Sequence, residues 1–315
     1  MKIALIRWDG IGDVITTIPL ASVIKKHLPD AVTIFVVSSY QAPLLENHPD
    51  IDEIHTVKVV NKLPDLDELS GVIERVRPDC VIDVLPRWRT AWLYFRHRIP
   101  VRIGTAFRWW SLLYNRRVPL RKHRSEKHEA EYNLELLRPL GIPIEFQPPR
   151  LYPRGDEIEA AERLLKDLPH PRIIVHPGSN NTSPNWPKEK YVRLVELLLD
   201  GGFSVVLTGS RQEKVKFHGF DRFEGDKRFL NTMGQLTLRQ LMGVIKVSDT
   251  VFSCGTGIMH IAAALDVPTV SVFGSEPSVS PVRWGPIGNR SKVLTPLENF
   301  GPEDGLKAIK EILNL

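Results

Sequence analysis

Two glycine-bearing stretches hold residues whose types and spacing fit chemistry. The first, residues 6–20, reads IRWDGIGDVITTIPL and sets Asp13 between an apolar run and a helical pattern. On residue types alone, Asp13 is either a helix cap or a general base. In the second case Gly10 and Gly12 keep side chains away, so that a hydroxyl approaches the carboxylate to about 3 Å. The helix dipole favours the ionised form of an aspartate in a first turn. Asp9 reads as a turn residue without chemistry. The loop is no dinucleotide fingerprint, because Ile15 stands where the third glycine belongs and the next strand ends in Ser38 and Ser39. Nor is it a Walker loop, since no Gly-Lys-Ser/Thr follows. The second stretch, FSCGTGIMHIAAAL at 252–265, places Gly255 and Gly257 between a strand and a helix. Backbone amides there, with the Thr256 hydroxyl, make an anion site suited to a pyrophosphate, and His260 lies one turn in. A further polar loop, HPGSNNTSPNWP at 176–187, offers Ser179, Asn180 and Trp186, or is an ordinary strand-to-helix turn.

The elements that must position these loops alternate between apolar runs and helical patterns. In the N-terminal part, strands are expected at 2–8, 32–39, 53–60 and 80–86, with helices at 13–27, 42–46 and 66–77. Strands separated by helices imply a parallel sheet. The run FQPPRLYPRGDE at 146–157 interrupts the pattern and reads as a linker. The alternation then restarts: strands at 172–178, 203–210, 250–254 and 269–274, with helices at 188–202, 237–249 and 258–266 and a C-terminal amphipathic helix at 302–315. Two open α/β domains are predicted, residues 1–150 and 151–315, with ligands beyond the carboxyl ends of the strands and in the cleft between lobes.

The bulk properties fit that reading. The chain has 315 residues, 42% hydrophobic and 25% charged, long enough for two domains. No apolar run approaches the roughly 20 residues of a membrane span, and no secretory leader pattern is present, so a cytoplasmic location is expected. Cys80 and Cys254 are too few for a disulfide framework and read as buried apolar residues; no Cys/His spacing suggests a metal. The acidic triplets DID at 50–52 and DLD at 65–67 read as solvated turns and not as a metal-binding pair. A net charge of +5 points to anionic partners. Much of it sits at residues 87–124, where ten arginines and one lysine occur with no acidic residue, among Trp88, Trp92, Trp109 and Trp110. Arginine grips phosphate in bidentate fashion and tryptophan favours a water–lipid boundary, which suits a phosphorylated glycolipid at a membrane surface. The same composition could stack on single-stranded nucleic acid, but no nucleic-acid motif accompanies it.

Taken in order, IRWDGIGDVITTIPL, RRVPLRKHRSEKHEAEYNLELLRPLGI, VHPGSNNTSPNWPKEKY and TGIMHIAAALDVPTVSVFG resemble the bacterial ADP-heptose:lipopolysaccharide heptosyltransferases, glycosyltransferase family 9. The resemblance runs from residue 1 to about 286. It implies a GT-B architecture, two Rossmann-like parallel-sheet domains facing across a cleft, with a lipid-linked acceptor on the N-terminal domain and a nucleotide-sugar donor on the C-terminal one. Asp13 matches the family's catalytic base. Ser179 and Asn180 match positions near the donor phosphates, Thr256, Gly257 and His260 the diphosphate loop, and Glu213 a ribose contact. Acceptor contacts are expected from Gly10, Gly12, Arg117 and Arg121. Two departures stand out: Gly255 replaces a usual acidic residue, and Pro184 a frequent basic one. Lys188, or an arginine of the other lobe, is then the expected substitute cation.

The implied reaction is inverting, metal-independent transfer of a heptose from ADP-heptose to the lipopolysaccharide inner core, with no cofactor and no nucleic-acid partner, by a cytoplasmic enzyme at the inner face of the inner membrane. Two alternatives remain open at this level: a related transferase using another nucleotide sugar, encouraged by Gly255 and Pro184, and a non-catalytic protein that binds nucleotide or glycolipid.

Overall fold

Unbroken apolar runs such as KIALI and VTIFVVS are the pattern of strands covered on both faces, as in a parallel sheet with helices on either side. The computed structural model, which describes residues 1–179 and 183–315, forms two units, Met1–Tyr152 and Pro153–Leu315. The first unit contains β1 (Lys2–Ile6), β2 (Val32–Ser38), β3 (Glu53–Val57), β4 (Cys80–Asp83), β5 (Val101–Thr105) and β6 (Arg116–Val118). They lie in the order β3-β2-β1-β4-β5-β6, and every pairing is parallel. The strand order reverses between β1 and β4, where Ile6 lies opposite Asp83. Ligands of open parallel sheets bind beyond the carboxyl ends of the strands at such a reversal.

Apart from a single helical turn at Ala42–Leu45, where a helix was expected at 42–46, the helices of this unit are α1 (Ile11–Ile15), α2 (Ile18–His27), α3 (Leu66–Val76), α4 (Trp88–Arg96) and α5 (Glu129–Leu134). The continuous helix expected at 13–27 is therefore two. The Thr16 and Thr17 hydroxyls donate to the Asp13 carbonyl at 3.0 and 2.8 Å, and Pro19 in the first turn of α2 has no N–H to continue the ladder. The basic segment resolves into α4, β5, a 3₁₀ turn at Trp109–Leu113 and β6. Of the acidic triplets, Asp65 caps α3, and Asp52 accepts from Lys25 and from the Thr33 N–H. Ile6, Trp8, Val36, Val81, Tyr94 and Tyr114 anchor the core on one face of the sheet.

The second unit repeats the topology. It contains α6 (Gly155–Leu165), β7 (Arg172–His176), α7 (Lys188–Asp200), β8 (Ser204–Leu207), α8 (Arg211–Lys216), β9 (Phe229–Asn231), α9 (Leu238–Lys246), β10 (Thr250–Cys254), α10 (Gly257–Ala264), β11 (Thr269–Val272), β12 (Ser291–Leu294) and α11 (Pro302–Leu313). The strand order β9-β8-β7-β10-β11-β12 again reverses between the first strand and the fourth, here β7 and β10. Residues 155–157, expected in the linker, are the first turn of α6. Glu157 closes that turn by accepting from the Arg154 N–H at 2.7 Å and pairs with Arg239. Trp186 is a core residue: its ring lies 5.1 Å from that of Phe252. Both cysteines are buried and free.

Candidate active site

At the carboxyl end of β1 the chain turns from Arg7 through Gly10 into α1. A Cβ at Gly10 would lie 2.5 Å from Asp13 Oδ2, so a side chain there would displace the carboxylate. The carboxylate folds back over the loop, with 23% of the side chain exposed, and contacts the Arg7 guanidinium through Oδ1. Arg7 is buried to 3% exposure and holds more than Asp13. Its Nε and NH2 donate to Asp9 at 2.6 and 2.9 Å, and its NH1 donates to Glu129 Oε1 at 3.4 Å. Lys122 Nζ donates to the same Glu129 oxygen at 2.6 Å and to Asn133 Oδ1 at 2.9 Å, while Asn133 Nδ2 donates to the Thr16 carbonyl at 3.1 Å. The network therefore ties α5 to the break between α1 and α2.

Electrostatics in this cluster differ from the expectation of a dipole-stabilised carboxylate. Burial is the strongest influence on Asp13 and raises its pKa. Arg7 pulls it down, Asp9 and Glu129 push it up, and the outcome is about 6. A helix of five residues such as α1 has little dipole to set against that. For Arg7 burial lowers the proton affinity, but Asp13, Asp9 and Glu129 together more than reverse it, so the guanidinium stays charged. Asp9 is thus an anchor for Arg7 and not an idle turn residue.

A second acid stands beside this cluster. Asp83, the last residue of β4, is buried, and its Oδ2 accepts from Tyr114 Oη at 2.6 Å and Thr90 Oγ1 at 3.1 Å. Burial outweighs those bonds and raises its pKa to about 7. Neither Arg7 nor Asp83 was singled out from sequence, nor were Glu129 and Lys122. Of the expected acceptor contacts, Gly10 is in this loop and Gly12 lies in the first turn of α1, next to Asp13. Arg117 and Arg121 are exposed, and Arg121 stacks over the Phe107 ring at 5.9 Å instead of joining the carboxylate cluster.

In the second unit three loops leave the carboxyl ends of β7, β8 and β10. A side chain at Gly178 would collide with the Glu213 carboxylate, so this glycine makes room for it. Glu213 accepts from the Ser210 N–H at 2.7 Å, closing the first turn of α8, and lies 3.9 Å from His176 Nε2. Burial lowers the pKa of His176 and Glu213 only partly offsets that, leaving a neutral imidazole whose Nδ1 is 3.0 Å from Thr208 Oγ1. The Cys254 thiol donates to the Gly178 carbonyl at 3.4 Å, which joins the β7 loop to the β10 loop. Ser179 is buried beside it, whereas Asn180 lies outside the described residues.

Beyond Gly255, α10 begins at Gly257 with Thr256 as its N-cap. The Thr256 hydroxyl is buried, makes no capping bond, and has no partner among the described residues. A hydroxyl left over at a helix start is suited to an anionic oxygen from a ligand. His260 is buried in the next turn. The two departures from the family pattern meet at the end of β11: a side chain at Gly255 would collide with the Phe273 ring, and one at Gly274 would come within 2.7 Å of Pro184 Cγ. An aromatic ring thus occupies the space that a residue-255 side chain would need. Lys188 begins α7, and its ammonium lies 2.7 Å from His218 Nε2, a contact outside these three loops.

With this geometry in view, comparison with known proteins is decisive. The sequence profile of glycosyltransferase family 9 (heptosyltransferase) matches residues 69–307. The chain belongs to that family. Among similar relatives is a putative glycosyltransferase of Haemophilus influenzae, 28% identical over 92% of this chain and 87% of the relative. Another is the lipooligosaccharide heptosyltransferase 2 of Haemophilus ducreyi, 27% identical over 89% of this chain and 86% of that protein. The crystal structure of a family 9 glycosyltransferase from Veillonella parvula superimposes with a TM-score of 0.87 at 20% identity, covering 99% of this chain and 97% of the other. The fold of this glycosyltransferase is GT-B, with one parallel six-stranded sheet in each unit.

Proposed function

We propose that this glycosyltransferase moves a heptose from ADP-heptose to the lipopolysaccharide inner core, with inversion and without a metal or cofactor. The observation that carries the proposal is the Asp13 carboxylate: partly open, backed by glycine, held by a buried arginine, and shifted to a pKa of about 6. A base of that affinity is ionised at neutral pH yet takes up a proton readily. Asp13 would remove the proton from the acceptor hydroxyl as the oxygen attacks the anomeric carbon. The bond between that carbon and the diphosphate oxygen breaks, ADP leaves with the electron pair, and attack from the opposite side inverts the centre. Asp13 then returns its proton to solvent. Thr256, the first amides of α10 and His260 are the residues proposed to take the charge growing on the leaving diphosphate, with Ser179, Asn180 and Lys188 as further donor contacts. Glu213 is proposed to accept from the ribose hydroxyls. The acceptor is a phosphorylated glycolipid, met by Gly10, Gly12, Arg117 and Arg121 at the inner face of the inner membrane; no helix of the described residues is long and apolar enough to cross a membrane.

The test combines donor titration with product analysis. ADP-heptose is expected to bind more tightly than UDP- or GDP-sugars, and with a heptose-deficient glycolipid it should give an inverted glycoside in the presence of a chelator. Preference for another nucleotide sugar would move the assignment within the family, and loss of turnover on chelation would end the metal-independent scheme. Donor binding without any transfer would leave a binding protein. The ring of Phe273 against Gly255 is the observation that keeps a different donor sugar as the second reading.

A further inference from the structure

The residues of α4 divide into two faces. Thr90, Ala91 and Tyr94 are buried, whereas Trp88, Trp92 and Phe95 recur at a spacing of four and three and are 48%, 51% and 46% exposed. Such spacing places the three rings in one stripe along the helix. The 3₁₀ turn Trp109–Leu113 packs against α4 and presents Trp109 and Leu112 at 73% and 79% exposure. Arg102 pins the two elements together: its guanidinium lies 5.5 Å from the Phe95 ring, and its Nε donates to the Leu113 carbonyl at 2.9 Å. Large apolar side chains clustered on a surface mark an interaction site, where single exposed ones would not.

The charge of this face is one-sided. No acidic residue occurs between Asp83 and Glu126, and the span holds ten arginines and one lysine. Several guanidinium groups sit beside the rings, Arg89 at 5.3 Å from Trp88 and Arg108 at 5.8 Å from Trp110. A second copy of the chain is a poor occupant, because a two-fold contact would set arginines against arginines. Stacked nucleic acid would use the tryptophans but leaves the most exposed residue, the aliphatic Leu112, without a purpose. A bilayer whose headgroups are anionic matches both features. Indole rings and Leu112 enter the acyl–headgroup boundary while guanidinium groups pair with lipid phosphates.

We propose that α4 and the Trp109–Leu113 turn form the face by which this glycosyltransferase docks on an anionic lipid bilayer. This deepens the proposed function and rests on its reading of the acceptor as a glycolipid. The face holds the enzyme at the surface where that acceptor lies, and it needs neither donor nor acceptor to act. The attraction of basic residues to anionic headgroups is screened by salt, so attachment should be strongly salt-dependent.

The experiment is co-sedimentation of the full chain with vesicles of phosphatidylcholine alone and with about one third phosphatidylglycerol, at low and high salt. Binding is expected only to the anionic vesicles, with a blue shift of tryptophan fluorescence. The variant Trp92→Ser/Trp109→Ser/Leu112→Ser, checked for its fold by circular dichroism and thermal midpoint, should lose about tenfold or more in affinity. Arg89→Gln/Arg108→Gln should weaken binding and flatten its salt dependence. No partition of the wild type, equal binding by the triple variant, self-association removed by the triple variant, or tighter binding to a single-stranded oligonucleotide through the same residues would each overturn the proposal. Heptosyl transfer to a water-soluble acceptor fragment separates the two readings. The triple variant should retain it, and a wild type that binds vesicles but shows no transfer refutes the proposed function alone.

Discussion

Replacing Arg7 by glutamine tests whether the buried guanidinium sets the proton affinity of Asp13, the proposed base. Asp13 at about 6 is the balance of burial and two neighbouring carboxylates against one cation in direct contact. A charge pair at about 4 Å in a medium of effective permittivity near 20 is worth about 4 kcal/mol, equivalent to about three pH units. Solvent reaches 23% of the Asp13 side chain, so a rise of about one to two units, to about 7–8, is the expected effect of removing the cation. At pH 7 the ionised fraction of Asp13 would then fall from about nine-tenths to between about half and one-tenth. The assay is kcat/KM for transfer from pH 5 to 9.5, followed by ADP release, because its acid limb reports the free enzyme's base. Arg7→Gln should move that limb upward, reduce activity about two- to tenfold at pH 7 beyond any loss at pH 9, and recover most of the difference in alkali. Arg7→Lys keeps the charge and should leave the limb near its wild-type position while lowering kcat through lost orientation. An unmoved acid limb in a folded Arg7→Gln protein, or a loss of equal size at pH 7 and pH 9, would refute the reasoning.

Asp13→Asn should keep donor affinity within about twofold while turnover falls by about 10² or more, seen by calorimetric titration alongside product analysis; retained turnover would remove Asp13 as the base. Asp83 holds its proton to about pH 7 in the folded chain and to about 4 when unfolded, so the native state binds more protons between those values and stability falls as pH rises through them. Asp83→Asn should remove its share of that slope and leave the share of Asp13 below about pH 6, giving a thermal midpoint at or above wild type at pH 8 and no gain at pH 4; an unchanged slope contradicts the burial argument. Thr256→Val removes a hydroxyl that has no partner among the described residues, and should weaken ADP binding by about fivefold to tenfold without lowering the melting temperature. Gly255→Asp should destabilise the second unit by about 1–3 kcal/mol, since its side chain meets the Phe273 ring, and Phe273→Ala in the same chain should relieve the cost.

The strands that carry the site were legible because their sequences left little choice. The runs at the cores of β1, β2, β7 and β10 are buried almost throughout, and a residue that must be apolar on both faces announces a central parallel strand. The strand-to-helix turns that carry Asp13 and residues 255–260 were legible for a related reason: glycine at such a turn interrupts the apolar and helical patterns on either side. What could not be read was the partner of each functional group. Arg7 and Glu129 are 122 residues apart, and an arginine ending a strand looks like a solvated one until the fold places three carboxylates around it. Asp83 did carry a signal, an acid inside the apolar run CVIDVLP, since a carboxylate at a fully covered position must be hydrogen-bonded or protonated. The basic segment concealed α4, β5 and β6 because its arginines and exposed rings mask the usual alternation; the burial of Tyr94, Ile103 and Val118 alone fixes the register.

Both units share one strand order, yet the reversal point is furnished differently in each, in keeping with the proposed chemistry. Beside β1 and β4 stand Arg7, Asp13 and Asp83, groups whose protonation is adjusted by burial and by one another. Beside β7 and β10 stand Gly178, Gly255 and Thr256, with the Glu213 carboxylate packed against Gly178. In the proposed scheme, proton abstraction uses a titratable group in a controlled field, whereas the leaving diphosphate is met by backbone donors and a hydroxyl at a helix start. A carboxylate at residue 255, the type that the family resemblance leads one to expect, would meet the Phe273 ring here. Exchanging the two loops between the units should therefore abolish both functions while leaving each parallel sheet intact, because the strands fix where a ligand sits and the loop residues alone decide what is done to it.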